Sequence, residues 1–273
     1  MGWELIWILY AVSLIICLVG FKKYVYFLSI GYGFSVAGIG VALAIMGLTG
    51  TFNGMGFAHY IMCLLFVAYG VRLAGFLLVR EIKNASYRKT LKEVTGEEKS
   101  VPVFVKFFMW ILCAALYVAQ TSSLFFRLYN GNSLENGAET STLMWVGIAV
   151  SAVAIILESV ADRQKSAQKK ERPDMVATKG LYKIVRCPNY FAEILFWTGV
   201  TLTGLDTVKG AGQWITILLA YVCIVYIMFN GAERLEKRQL GRYGNNKEYN
   251  DYANSTPIII PFLPIYHLAK KDK

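Results

Sequence analysis

Long apolar runs, separated by polar turns or by strongly charged stretches, set the pattern of this chain. The runs fall at Trp3 to Gly20, Tyr24 to Leu48, Phe57 to Val79, Val103 to Phe126, Leu143 to Ala161, Tyr190 to Leu205 and Gln213 to Asn230. Crossing the roughly 30 Å hydrocarbon core of a bilayer takes about 20 helical residues. The pattern therefore predicts seven membrane helices, of which the sixth is short enough to be tilted or re-entrant. The first run lacks the basic start and small-residue cleavage site of a signal peptide and is expected to remain as a span. No long linker, low-complexity tract or internal repeat interrupts the series. The expected fold is all-α: a polytopic seven-transmembrane-helix bundle forming one integral membrane domain over residues 1–273.

Composition agrees, with 56% hydrophobic and 14% aromatic residues, the profile of a membrane protein. The charge distribution adds an orientation. With the N-terminus outside, twenty-five of the 28 lysines and arginines fall on the cytoplasmic side; Arg127 and Lys209 lie outside, and Arg72 lies within the third run. Basic residues favour the cytoplasmic face, so the C-terminus is expected there. The net charge of +10 also points to an anionic cytoplasmic partner, either lipid headgroups or a phosphorylated cofactor. Loops this short and embedded argue against nucleic acid. Four of the five cysteines sit in apolar runs and Cys187 lies near a loop, with no paired spacing for a disulfide or a metal.

Polar groups at membrane depth are costly, about 2.5 to 3.5 kcal/mol for a charge at a helix centre, and so are functional candidates. In the third run, `YGVRLAGF` puts Tyr69 and Arg72 three residues apart, on one helical face. In the fifth, Glu158, Asp162, Lys165 and Lys169 form a single stripe running out toward the cytoplasm. In the sixth, Pro188 suits a first helical position, where its missing N–H costs nothing, and the helix start flanked by Arg186 and Asn189 is a natural anion site. Asn189, Glu193 and Trp197 follow at steps of four. Gln120 and the tyrosine-rich tail `GAERLEKRQLGRYGNNKEYNDYANSTPIIIPF` complete the set; the tail alone also reads as an interfacial helix. Topology brings two acids, an arginine, an asparagine and a tyrosine to one inner-leaflet level, as around a polar cofactor in a cytoplasm-facing cavity.

The stretch `GLYKIVRCPNYFAEILFWTG` resembles a motif of the steroid 5-alpha-reductase-like membrane enzymes, bacterial branch. The motif runs Gly-Leu-aromatic, then Arg-His-Pro-Asn-Tyr and a glutamate. Cys187 stands where it has histidine. Tyr69 with Arg72, Gln120, the Glu158 to Lys169 stripe and the tail to Pro261 fall in family order, from about residue 57 to 262. The resemblance implies an NADPH-dependent reductase. Its substrate is a carbon–carbon double bond conjugated to a carbonyl, in a steroid or other lipid-like molecule such as a 3-oxo-4-ene steroid. It further implies dinucleotide contacts at Glu158, Asp162, Lys169, Arg186, Asn189, Arg234, Tyr243 and Tyr249, with Glu193 beside the cofactor. Tyr69 is similar in place to the tyrosine that hydrogen-bonds the substrate carbonyl, with Arg72 orienting it. No metal is implied, and a bacterial inner membrane is the expected location. Two other readings compete: an S-adenosylmethionine-dependent methyltransferase of the isoprenylcysteine or phospholipid type, and a non-catalytic lipid-binding protein. `PNYFAE` together with Asp162 fits the reductases better.

Overall fold

The computed structural model describes residues 4–83, 101–131 and 138–269. Within them every regular element is helical: α1 Glu4–Cys17, α2 Ile30–Leu48, α3 Phe57–Lys83, α4 Val103–Gly131, α5 Thr142–Glu171, α6 Pro188–Leu202, α7 Gly210–Tyr243 and α8 Lys247–Ser255. Six segments are long and apolar enough to cross a membrane: Glu4–Phe21, in which α1 runs on through a 3-10 turn, Tyr24–Leu48, and α3, α4, α5 and α7. The protein is a multi-pass, all-helical membrane protein. The sixth predicted span emerges as α6, whose 15 residues reach about 22 Å at 1.5 Å per residue, less than the hydrocarbon thickness. By contrast, the 30 residues of α5 and 34 of α7 carry those helices past their apolar runs. The charged stripe of α5 and the start of the basic tail are thus continuations of spans.

The helices group into two compact units. One comprises Met1–Ile148 with Val200–Ala220, the other Ala149–Gly199 with Tyr221–Lys273. The first unit is organised by α2 against α3. Without apolar-to-water contrast to drive them together, membrane helices gain by close backbone approach at small residues. Gly33, Ala37 and Gly40 of α2 lie against Gly70, Ala74 and Cys63 of α3. A Cβ on Gly70 would stand 2.1 Å from the Gly33 carbonyl oxygen, and one on Gly40 would stand 2.8 Å from that of Cys63. Larger residues at Gly33, Gly40 or Gly70 would force the pair apart.

A second feature of this unit is Arg127, near the end of α4. Its Nε donates to the Thr203 carbonyl at 2.5 Å, Nη1 to the Glu139 carbonyl at 2.6 Å, and Nη2 to Ser141 Oγ at 3.0 Å and to Asp206. Nearby, Asn130 and Gln213 exchange side-chain amide hydrogen bonds at 2.8 and 3.1 Å.

The second unit is built from the far end of α5, the segment 172–187, the first part of α6, the far end of α7, α8 and a C-terminal strap over residues 256–269. Two glutamines of α5 hold the connecting segment. Gln168 Oε1 accepts from the backbone N–H groups of Thr178 and Lys179 at 2.9 and 2.8 Å, and Gln164 Oε1 from that of Leu181 at 2.8 Å. Gly180 lies between them with φ +68°, and a Cβ there would come within 2.4 Å of Gln164 Oε1; only glycine meets both demands. Asn246 caps α8, accepting from the N–H groups of Glu248 and Tyr249, a standard way to satisfy donors at a helix start.

Candidate functional site

Nine of the eleven candidate residues belong to the second unit, and Tyr69 and Arg72 to the first. Glu158 is buried on α5, and one turn further on Asp162 Oδ1 accepts from Asn189 Nδ2 at 2.5 Å. Asn189 Oδ1 in turn accepts from the Tyr182 hydroxyl at 3.0 Å. A carboxylate, an amide and a phenol are thereby locked together at the start of α6, which begins at Pro188 as the missing N–H leads one to expect. Tyr252 of α8 donates to the Tyr182 backbone carbonyl at 2.7 Å and ties α8 to the same place. One turn along α6, the buried carboxylate of Glu193 accepts from the Trp197 indole at 3.2 Å.

Lys169 and Tyr243, 74 positions apart in the chain and on either side of Asn189, also meet. The Lys169 ammonium donates to the Tyr243 hydroxyl at 2.9 Å and to the Pro173 carbonyl at 3.3 Å. Tyr243 packs with Tyr249, their ring centroids 5.8 Å apart. Arg234 is exposed on α7, outside these buried contacts.

Arg186 carries the most unusual surroundings. Its backbone N–H donates to the Pro257 carbonyl at 2.8 Å and that of Cys187 to the Ile258 carbonyl at 2.9 Å, so the strap is laid against the motif. Its Nη2 donates to Glu236 Oε1 at 2.7 Å and to the Tyr266 carbonyl. The other Glu236 oxygen accepts from the Leu268 and Ala269 N–H groups at 2.7 and 2.8 Å. His267 bridges Glu236 and Asn254, at 2.8 and 2.9 Å. Three buried donors in this unit, Arg186 Nε, Arg186 Nη1 and the Tyr249 hydroxyl, make no well-formed hydrogen bond among the described residues, although the Arg186 guanidinium lies close enough to the Tyr249 oxygen to act on it as a donor. Burial raises the Tyr249 phenol pKa, and the Arg186 guanidinium partly opposes that rise. Burial likewise raises the phenol of Tyr252. The Cys187 thiol is pushed up to about 12 by burial and packs with Ala232, Ile258 and Ile259. It is a packing thiol under the strap, where an imidazole would add ring nitrogens.

Glu236 and His267 were not foreseen from the sequence. Glu236 lies one turn after Ala232, which is fully buried on the same helix face, and that spacing was the available signal.

In the first unit, Tyr69 is fully buried and its hydroxyl donates to that of Tyr32 at 2.9 Å. Arg72 follows on the same face of α3, half-buried. Gln120 is buried on α4, and its amide oxygen has no hydrogen-bond partner among the described residues. No group of three or more His, Cys, Asp or Glu side chains able to hold a metal occurs among those residues.

Compared with known families, residues 32–256 match the model of a family described as a protein of unknown function, DUF1295. The chain belongs to the DUF1295 family. The match runs from Tyr32 to Thr256, so all eleven candidate residues of this DUF1295 protein fall within it. No curated protein and no solved structure matches.

Proposed function

We propose that this DUF1295 protein is an NADPH-dependent membrane reductase of the steroid 5-alpha-reductase-like kind. Its substrate in this reading is a steroid or other lipid-like molecule with a carbon–carbon double bond conjugated to a carbonyl. The short helix α6 is then a seventh membrane segment, the second unit holds the dinucleotide in a cytoplasm-facing cavity, and the N-terminus lies outside a bacterial inner membrane.

The observation that carries the reading is the set of buried donors at Arg186 and Tyr249. A buried donor without an acceptor costs about 1–3 kcal/mol, more if charged. An anionic group removes that cost, and a guanidinium suits phosphate well. The neighbouring side chains fit the remaining parts of a dinucleotide: carboxylates at Glu158 and Asp162 accept from hydroxyl groups, and Lys169 with Tyr243 adds a positive charge and a ring. Glu193, its carboxylate oriented by the Trp197 indole, offers an acceptor to a carboxamide.

When bound, a reduced nicotinamide would supply hydride to the double-bond carbon farther from the carbonyl. Negative charge then develops on the carbonyl oxygen. The Tyr69 hydroxyl, with Arg72 nearby on its face, stabilises that oxygen more in the transition state than in the ground state, which is what raises the rate.

The test heats detergent-purified protein alone, with NADPH and with S-adenosylmethionine, then follows absorbance at 340 nm after adding a 3-oxo-4-ene steroid. Stabilisation by NADPH and loss of absorbance are expected. Stabilisation by the methyl donor alone, or by neither compound, sinks the reading. Asn189→Ala and Glu193→Gln are expected to abolish turnover with melting behaviour retained.

A further inference from the structure

The C-terminal strap carries an apolar tip that the protein does not cover. Residues 257–266 read `PIIIPFLPIY`, without a single charge. The Ile258 N–H donates to the Ile265 carbonyl at 2.8 Å and closes a loop, inside which the Ile265 N–H donates to the Leu263 carbonyl at 2.7 Å. At the base of the loop Ile258 and Ile259 are buried. At its tip Phe262 is 92% exposed, more than any other large apolar side chain among the described residues, and Leu263 beside it is exposed as well. Turn tips that meet water favour glycine, asparagine, aspartate and serine beside proline. Here the residues between Pro261 and Pro264 are phenylalanine and leucine.

The backbone points the same way. Phe262 has φ +65° and is the one non-glycine residue with positive φ among the described residues. A bulky side chain is strained in that region, whereas glycine is at ease. The loop hydrogen bonds hold the backbone there, yet they would suit glycine at least as well. A reason for phenylalanine has to lie outside the protein, since the ring stands clear of it, and an outlier of this kind marks a place where something else offsets the strain.

Depth identifies what lies outside. Ile258 and Ile259 form one cluster with Cys187 and Ala232, against which Tyr190 and Ile194 of α6 and Met228, Phe229 and Leu235 of α7 pack. On α7 the apolar run ends at Asn230, and Glu233 and Arg234 follow, so the loop sits where that span leaves the hydrocarbon. Val222 and Tyr226 of the same helix are exposed on the apolar side of this level. On the other side lies the exposed Arg238, a residue suited to anionic headgroups. Aromatic side chains collect at such a boundary. A two-residue tip is also far too small for a stable protein–protein contact, which buries about 1,200–2,000 Å².

We propose that the Phe262–Leu263 tip inserts into the adjoining leaflet as an interfacial anchor, with phospholipid as its partner. This does not depend on the reductase reading. Before the loop, the Pro257 and Ile258 carbonyls accept from the Arg186 and Cys187 N–H groups. After it, the Leu268 and Ala269 N–H groups donate to Glu236. The strap is thus gripped by the protein on both sides of the loop and by lipid at its tip, so the cover of the Arg186 site is fastened to the membrane itself.

Spin labelling of the full chain tests this. In a Cys223→Ser background, whose other four cysteines are buried, a nitroxide is attached at Phe262→Cys or Leu263→Cys. Val222→Cys gives a lipid-facing reference, and Asp251→Cys, at an exposed position of α8, a water-facing one. In liposomes of phosphatidylethanolamine and phosphatidylglycerol, collisions with oxygen are compared with collisions with a water-soluble nickel chelate. Labels at 262 and 263 are expected between the two references, about 5–10 Å into the headgroup and acyl boundary, the usual depth of interfacial apolar groups. Thermal melting of the labelled proteins should match that of the background. Chelate collisions as frequent at 262 and 263 as at 251 would place the tip in water and overturn the proposal. Protection from both reagents, with spin–spin broadening between copies, would show that a second copy covers the tip and would overturn it equally.

Discussion

Arg127 in the first unit and Arg186 in the second are both buried, and the two are treated differently. The side chains of Arg127 and Arg186 are both 2% exposed. Around Arg127 all three guanidinium nitrogens find acceptors: two backbone carbonyls, a serine hydroxyl and the Asp206 carboxylate. Around Arg186 the acceptors crowd onto Nη2, while Nε and Nη1 make no well-formed hydrogen bond among the described residues. A buried charge must be paired and hydrogen-bonded to be tolerated. Arg127 meets that condition with the protein alone, and it is a structural fastener. Arg186 does not meet it with the described residues, and the proposed function assigns the remaining donors to an anionic ligand. Burial of a charge is therefore a weak indicator of function; the saturation of its donors separates the two cases.

The largest expected effect comes from breaking the saturated site. Arg127→Ala leaves the Thr203 and Glu139 carbonyls and Asp206 without their donor, and removing one partner of a buried pair costs about 3–5 kcal/mol. Denaturation in detergent should show that loss, while the NADPH-induced melting shift should persist. Loss of the shift would mean that the two arginines are not separable in role. Arg186→Lys is the sharper, smaller perturbation. Lysine keeps one charge for Glu236 but lacks the fork that carries Nε and Nη1. The ligand-free melting temperature should change little, whereas NADPH should bind about 10- to 100-fold more weakly, as expected for lost charge-assisted hydrogen bonds at about 1.5–3 kcal/mol each. An unchanged affinity, by titration calorimetry or thermal shift, would assign the unpaired donors to something other than the dinucleotide.

The contrast also explains what was legible in the sequence. The α5 stripe and the start of α6 were legible because helical spacing and a proline at the first position are local rules; Asp162 and Asn189 do join, and α6 does begin at Pro188. The end of α6 was less legible: the run was read to Leu205, whereas the helix stops at Leu202, before Thr203 and Gly204. Arg127 was placed outside as one of few basic residues there, yet nothing local revealed its burial, since its acceptors come from residues 139, 141, 203 and 206. Glu236 escaped for the same reason: its donors at 186, 267, 268 and 269 assemble only when the strap folds back. The approach of α2 to α3 at Gly33, Ala37 and Gly40 was not read from the sequence, since it depends on the pairing of two helices.

The smallest effect tests how far Arg127 depends on charge rather than on carbonyls. Burial acts to raise the Asp206 carboxyl pKa, but hydrogen bonds from Ser141 and Arg127 outweigh it, so the pKa is lowered from the ordinary aspartate value. A group whose folded pKa is depressed adds stability above its unfolded pKa, about 3.9, and loses it as pH falls through the folded value. Asp206 is 34% exposed, so solvent screening limits its share to about 0–1 kcal/mol. Asp206→Asn should therefore melt within a few degrees of wild type at pH 7, since Arg127 retains its two carbonyls and Ser141. As pH falls below that unfolded value, wild type should lose stability more steeply than the variant, and the two curves should converge in acid. Parallel curves would show that the carboxylate adds nothing and that Arg127 is held by neutral oxygens alone. In that case the difference between the two arginines lies wholly in how many nitrogens find an acceptor, and not in the presence of an acidic partner, which both possess.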